Sequence, residues 1–75
     1  MAYINNERML RAVLLDDELM KFGGYTPKDI GSLEQALDSD NYVINTVAQI
    51  IQGADDDASE LGLWKEIRNY LFNNI

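Results

Sequence analysis

The chain has 75 residues, no Cys and no His, and six basic against thirteen acidic residues for a net charge of −7. That length supplies one domain, and the two missing residue types exclude disulfides and the usual zinc ligand sets. Apolar residues make up 47% of the chain, enough for a packed core, but they never run for the roughly 18 positions a membrane helix needs.

Residues 1–7 read Met-Ala-Tyr-Ile-Asn-Asn-Glu. They have neither a basic segment nor an apolar one, so no signal peptide is read and the cytoplasm is the expected location. The first predicted helix runs from about Asn6 to Lys21, with Asn5 as N-cap and Gly23-Gly24 as the stop. Ile4 and Met9 stand at the spacing of a hydrophobic staple, and Glu7 falls in the first turn, where the helix dipole favours a carboxylate. Met9, Leu10, Val13, Leu14 and Met20 form one apolar arc; Ala12, Leu15, Leu19 and Phe22 form a second. Two arcs on one helix predict packing on two sides.

The second helix opens at Tyr25-Thr26-Pro27-Lys28-Asp29-Ile30, with Thr26 as cap, Pro27 at the first helical position and Asp29 completing a capping box. It is expected to run to about Asp38 with Ile30, Leu33 and Leu37 on one face, and Gly31 inside it costs about 1 kcal/mol relative to Ala. The third helix spans about Asn41 to Gln52, capped by Ser39 or Asp40 and stopped by Gly53. Its β-branched residues make a strand the competing reading, but Val43, Ile44, Val47, Ala48, Ile50 and Ile51 recur at helical period. The fourth spans about Ala58 to Asn74, with Asp57 as cap, Glu60 in its first turn, and Leu61, Trp64, Ile67, Leu71 and Ile75 on one face. Four short helices with tight connections predict an all-α bundle or orthogonal array. Leu10, Val13, Leu14, Leu33, Leu37, Val47, Ile51, Trp64, Ile67 and Leu71 are its expected core.

Charge is distributed unevenly. No Lys or Arg lies between Lys28 and Lys65, and the third helix carries no charge at all. Such a surface repels phosphate backbones and anionic membranes. The uncharged helix is therefore expected either at an interface, a homodimer among the options, or enclosed by the other helices. Its amides Asn45, Gln49 and Gln52, with the following Asp55, Asp56 and Asp57, are the expected interaction residues. Asp17 and Arg68 fall within apolar arcs of their helices and are expected to pair.

Chemistry finds little footing. Nucleophilic catalysis lacks its usual His or Cys partner. The carboxylate pairs Asp16-Asp17 and Asp55-Asp56-Asp57 are better explained as helix-start residues than as acid–base machinery. Asp55, Asp57, Ser59 and Glu66 imitate the spacing of a calcium loop, but Glu60 stands where the loop needs Gly. A helix-turn-helix reading would make the third helix the DNA reader, and it has no Lys or Arg for phosphate contact. Gly31-Ser32-Leu33 resembles the motif around the phosphopantetheine serine of acyl carrier proteins, with Gly31 where that family has Asp and without the long preceding loop; the resemblance implies a prosthetic arm on Ser32. Met20-Lys21-Phe22-Gly23 resembles the first loop of ubiquitin-associated domains, but Ala36-Leu37 follows too late for that three-helix fold. The sequence is best read as a small acidic, non-enzymatic protein–protein interaction domain without metal or cofactor. The alternatives are an acidic nucleic-acid mimic of the kind phages encode against DNA- or RNA-processing proteins, and an acyl-carrier-like protein.

Overall fold

A computed structural model describes residues 5–54 and 59–73. Five α-helices and one 3-10 turn make up the regular structure among these residues, with no strand: α1 Asn6–Leu14, α2 Asp17–Gly23, a 3-10 turn Pro27–Asp29, α3 Leu33–Leu37, α4 Tyr42–Gln52 and α5 Glu60–Asn73.

The first predicted helix is two helices. The break is made by Asp16, whose carboxylate accepts hydrogen bonds from Glu18 N–H at 2.9 Å and Leu19 N–H at 3.2 Å. In a continuous helix Glu18 N–H would bind the Leu14 carbonyl. That carbonyl instead accepts the Tyr25 hydroxyl at 2.6 Å, a buried bond that brings the chain after α2 back under α1. Neither apolar arc survives the break intact: Met20 of the first lies on α2, and Ala12 of the second lies on α1. Met9, Leu10, Val13 and Leu14 are buried on α1 and Leu19 on α2, while Ala12 and Leu15 are exposed.

The second predicted helix is also divided. Asp29 accepts from both the N–H and the hydroxyl of Thr26, but the helix ends after one 3-10 turn. Gly31 follows at φ +66°, a left-handed conformation that L side chains rarely adopt. It is therefore a breaker and no interior helix residue. Ser32 then starts α3 with its own capping box: Ser32 Oγ accepts from Gln35 N–H, and Ser32 N–H donates to Gln35 Oε1. Both oxygens of the Glu7 carboxylate accept Leu33 N–H at 3.1 Å, tying the start of α1 to the start of α3.

The cap of α4 is Asn41, one residue later than expected; its side chain accepts from Val43 and Ile44 N–H. The same amide donates to Gly23 O at 2.8 Å, locking α4 to the end of α2. A Cβ on Gly23 would stand 2.9 Å from Val43 Cβ, so only glycine permits this approach. At α5, Ser59 Oγ accepts from Gly62 N–H and takes the capping place expected of Asp57, which lies outside the described residues.

Helix α4 is the hub: α1, α2, α3 and α5 all pack on it. Val43, Ile44, Val47, Ala48 and Ile51 are buried there, together with Ile67, Leu71 and Leu63 of α5. Leu10, Val13, Leu14, Val47, Ile51, Ile67 and Leu71 thus occupy the expected core, whereas Leu33, Leu37 and Trp64 are only partly buried at its edge. The radius of gyration, 11.5 Å, matches the roughly 11 Å of a close-packed chain of this length, so the helices wrap α4 and do not splay from it. No described helix is long and apolar enough to cross a membrane.

Candidate interaction surface

The central place of α4 accounts for its wide apolar face. Two of the three expected interaction amides, Asn45 and Gln49, make hydrogen bonds within the fold. Half-buried Asn45 donates to Leu37 O at 2.8 Å, closing the last carbonyls of α3, and Gln49 donates to Asn45 Oδ1 at 2.7 Å. Tyr42, Gln49 and Gln52 are the exposed positions of the helix. Asp55, Asp56 and Asp57 lie outside the described residues.

A different surface gathers the groups that bind proteins well. On α5, Leu61, Trp64, Arg68 and Phe72 recur at i, i+3, i+7 and i+11, a stripe beside the buried row of Leu63, Ile67 and Leu71. Helix α2 lies beside the Arg68–Phe72 end of this stripe. Glu18 meets Arg68 at 3.3 Å, and four residues further along each helix Phe22 meets Phe72, with ring centroids 5.2 Å apart and planes tilted by 55°. The two helices therefore run in the same sense.

Arg68 is the centre of the seam. Its guanidinium lies 5.6 Å from the Trp64 ring centroid and 5.2 Å from that of Phe72, distances at which a cation is attracted by an aromatic face. Asp16 Oδ2 is 3.8 Å from it on the α2 side. Arg68 thus pairs with Asp16 and Glu18, the neighbours of Asp17, and not with Asp17 as the helical wheel predicts. The wheel misleads because it assumes one helix through Leu15 and Asp16; with the break there, Asp17 turns outward and is exposed. Arg68 is 39% exposed, so these ion pairs contribute at most about 1 kcal/mol each.

Much of the seam is open to solvent. Phe22 is 40% exposed and Leu61 65%. Tyr25 beneath α1 is a contrast: burial, and then the charge of Asp16, push its hydroxyl up to about 12. It has a structural partner and sits inside the core, so it is no candidate acid or base.

The remaining sequence candidates separate. Ser32 stands at the start of α3, half-buried, its oxygen engaged as the cap. Among the described residues no three acidic side chains gather closely enough to hold a metal ion; the calcium-like spacing begins at Asp55, outside them. The seam is hidden from sequence reading because Phe22 and Phe72 lie 50 residues apart on separate helices, and no local spacing says that they meet. The recurrence of Trp64, Arg68 and Phe72 was the signal available. Comparison with protein-family models, with curated proteins and with solved structures gives no match.

Proposed function

We propose that the chain is a non-enzymatic protein–protein interaction domain that docks its partner on the α2–α5 seam. The observation supporting this is the partly exposed row of Phe22, Phe72, Arg68 and Trp64. Aromatic residues and Arg are enriched in interfaces and dominate their energetics, whereas scattered exposed apolar residues do not form such a row. Arg68 is held in place before binding, which lowers the ordering cost of using it as a contact. Affinity capture with wild type, Phe22→Ser and Gln49→Lys tests the reading. Capture lost in Phe22→Ser and kept in Gln49→Lys supports the seam; the reverse pattern returns the contact to the amide face of α4.

A nucleic-acid mimic is a second reading, supported by exposed Glu34, Asp38 and Asp40 in the stretch without a cation. It requires capture of nucleic-acid enzymes that falls steeply with salt and is indifferent to Phe22→Ser. The carrier reading requires a species heavier by a phosphopantetheine arm on intact-mass analysis, abolished by Ser32→Ala.

A further inference from the structure

We infer that the α2–α5 seam receives a basic amphipathic helix, which lays apolar side chains on Phe22, Trp64 and Phe72 and sets Lys or Arg against Asp16, Asp17 and Glu18. The inference rests on the docking role proposed above and adds the chemistry of the partner.

Shape favours a helix. From Leu61 to Phe72 the stripe advances about 16 Å at 1.5 Å per residue, roughly three helical turns. With α2 alongside its Arg68–Phe72 end in the same sense, the stripe presents a ridged face of the kind an amphipathic helix covers through residues at i, i+3, i+4 and i+7. An added strand would need an exposed sheet edge, and the described residues contain no strand.

Charge selects the sign. Asp16, α2 and α5 together carry five carboxylates, on Asp16, Asp17, Glu18, Glu60 and Glu66, against three cations, on Lys21, Lys65 and Arg68. The guanidinium of Arg68 is already shared between Asp16 and Glu18, so the acidic start of α2 keeps an excess of negative charge beside exposed Leu15. A second copy of the chain would bring another net −7 against this one. An anionic membrane is repelled for the same reason. A basic helix meets both the apolar row and the excess charge.

Trp64 is the sole tryptophan, half-buried within the seam, so its emission reports occupancy directly. The probes are two synthetic amphipathic helical peptides with the same Leu face, one with Lys on its polar face and the other with Glu, titrated into the full chain at low and at physiological salt. The Lys–Leu peptide is expected to shift Trp64 emission saturably, more weakly as salt rises, and the Glu–Leu peptide to leave it unchanged. Phe22→Ser should weaken binding by about tenfold, as truncating an interface anchor does. Asp17→Asn should weaken it by about threefold through lost attraction, while Asp38→Asn, at the end of α3 and in neither helix of the seam, should leave it unchanged. Circular dichroism of each variant confirms that the helices are retained. Saturable binding of the Glu–Leu peptide, or a dimer by sedimentation that Phe22→Ser dissociates, overturns the basic-helix inference and leaves the docking role standing. No response to either peptide overturns the inference; if Phe22→Ser also leaves affinity capture intact, the docking role falls with it. Equal losses in Asp17→Asn and Asp38→Asn reduce the effect to general attraction and overturn the assignment to the seam.

Discussion

Replacing Tyr25 by Phe tests the joint that divides the first predicted helix. The Tyr25 hydroxyl donates to Leu14 O at 2.6 Å in a buried setting, and Tyr25 itself is 5% exposed. Removing the hydroxyl leaves a carbonyl at a helix break without its donor, a loss of about 1–3 kcal/mol at pH 7. The same hydroxyl sets an alkaline limit. Its folded-state value is pushed up to about 12, by burial first and by Asp16 second, whereas an unfolded Tyr ionises near 10. Below pH 10 both states keep the proton, and the bond contributes in full. Above pH 10 the unfolded chain loses the proton first, so wild-type stability falls toward pH 12, by roughly 2 kcal/mol for a two-unit gap. Phe does not titrate, and the variant escapes this fall. The gap between wild type and Tyr25→Phe should therefore be about 1–3 kcal/mol in urea unfolding at pH 7 and nearly closed by pH 12. Equal stability at pH 7, or a gap that stays constant from pH 9 to 12, would refute the reasoning.

Other substitutions probe other joints. Ile67→Ala, at a fully buried position of α5, should cost about 2–5 kcal/mol in thermal or urea unfolding. Gly31→Ala, at φ +66° and with its new Cβ pressed against the Gln35 side chain, should cost about 1–2 kcal/mol and loosen the start of α3 in hydrogen exchange. Asn45→Ala removes the bond to Leu37 O and should cost about 1 kcal/mol. Arg68→Ala should lower stability by less than about 1 kcal/mol, because its ion pairs are exposed, yet should weaken partner capture clearly.

The all-α class was legible because α4 and α5 carry unbroken helical periods bounded by caps, and because Asn5 caps α1 as its spacing announces. The two breaks were missed for a shared reason. Asp16-Asp17-Glu18 has the composition of a helix start, but it lies inside an apolar pattern that continues in phase closely enough to look like one helix. Besides the Asp16 cap, the break is supported by the Tyr25 bond to Leu14, which no local pattern announces. At Ser32 the signal was present: Ser32 and Gln35 have capping-box spacing, and Gly31 before them suits a left-handed turn. The stronger Thr26-Pro27 start concealed it by appearing to open a helix that needed no second cap. For the interaction surface, charge depletion on α4 has two readings. Depletion marks burial in a core as well as in an interface, and α4 is the element on which the other helices pack. The seam depends on which residues of α2 stand against which of α5, and that register is set by packing on α4.

The most direct test of the seam is a 15N–1H correlation spectrum of the full chain during titration with the Lys–Leu peptide. The account predicts that the largest shifts cluster on Phe22, Arg68, Phe72 and the indole N–H of Trp64, with the backbone of Asp16 to Glu18 beside them. Shifts centred on Asn45, Gln49 and Gln52, or spread evenly over the acidic positions between Lys28 and Lys65, would contradict it.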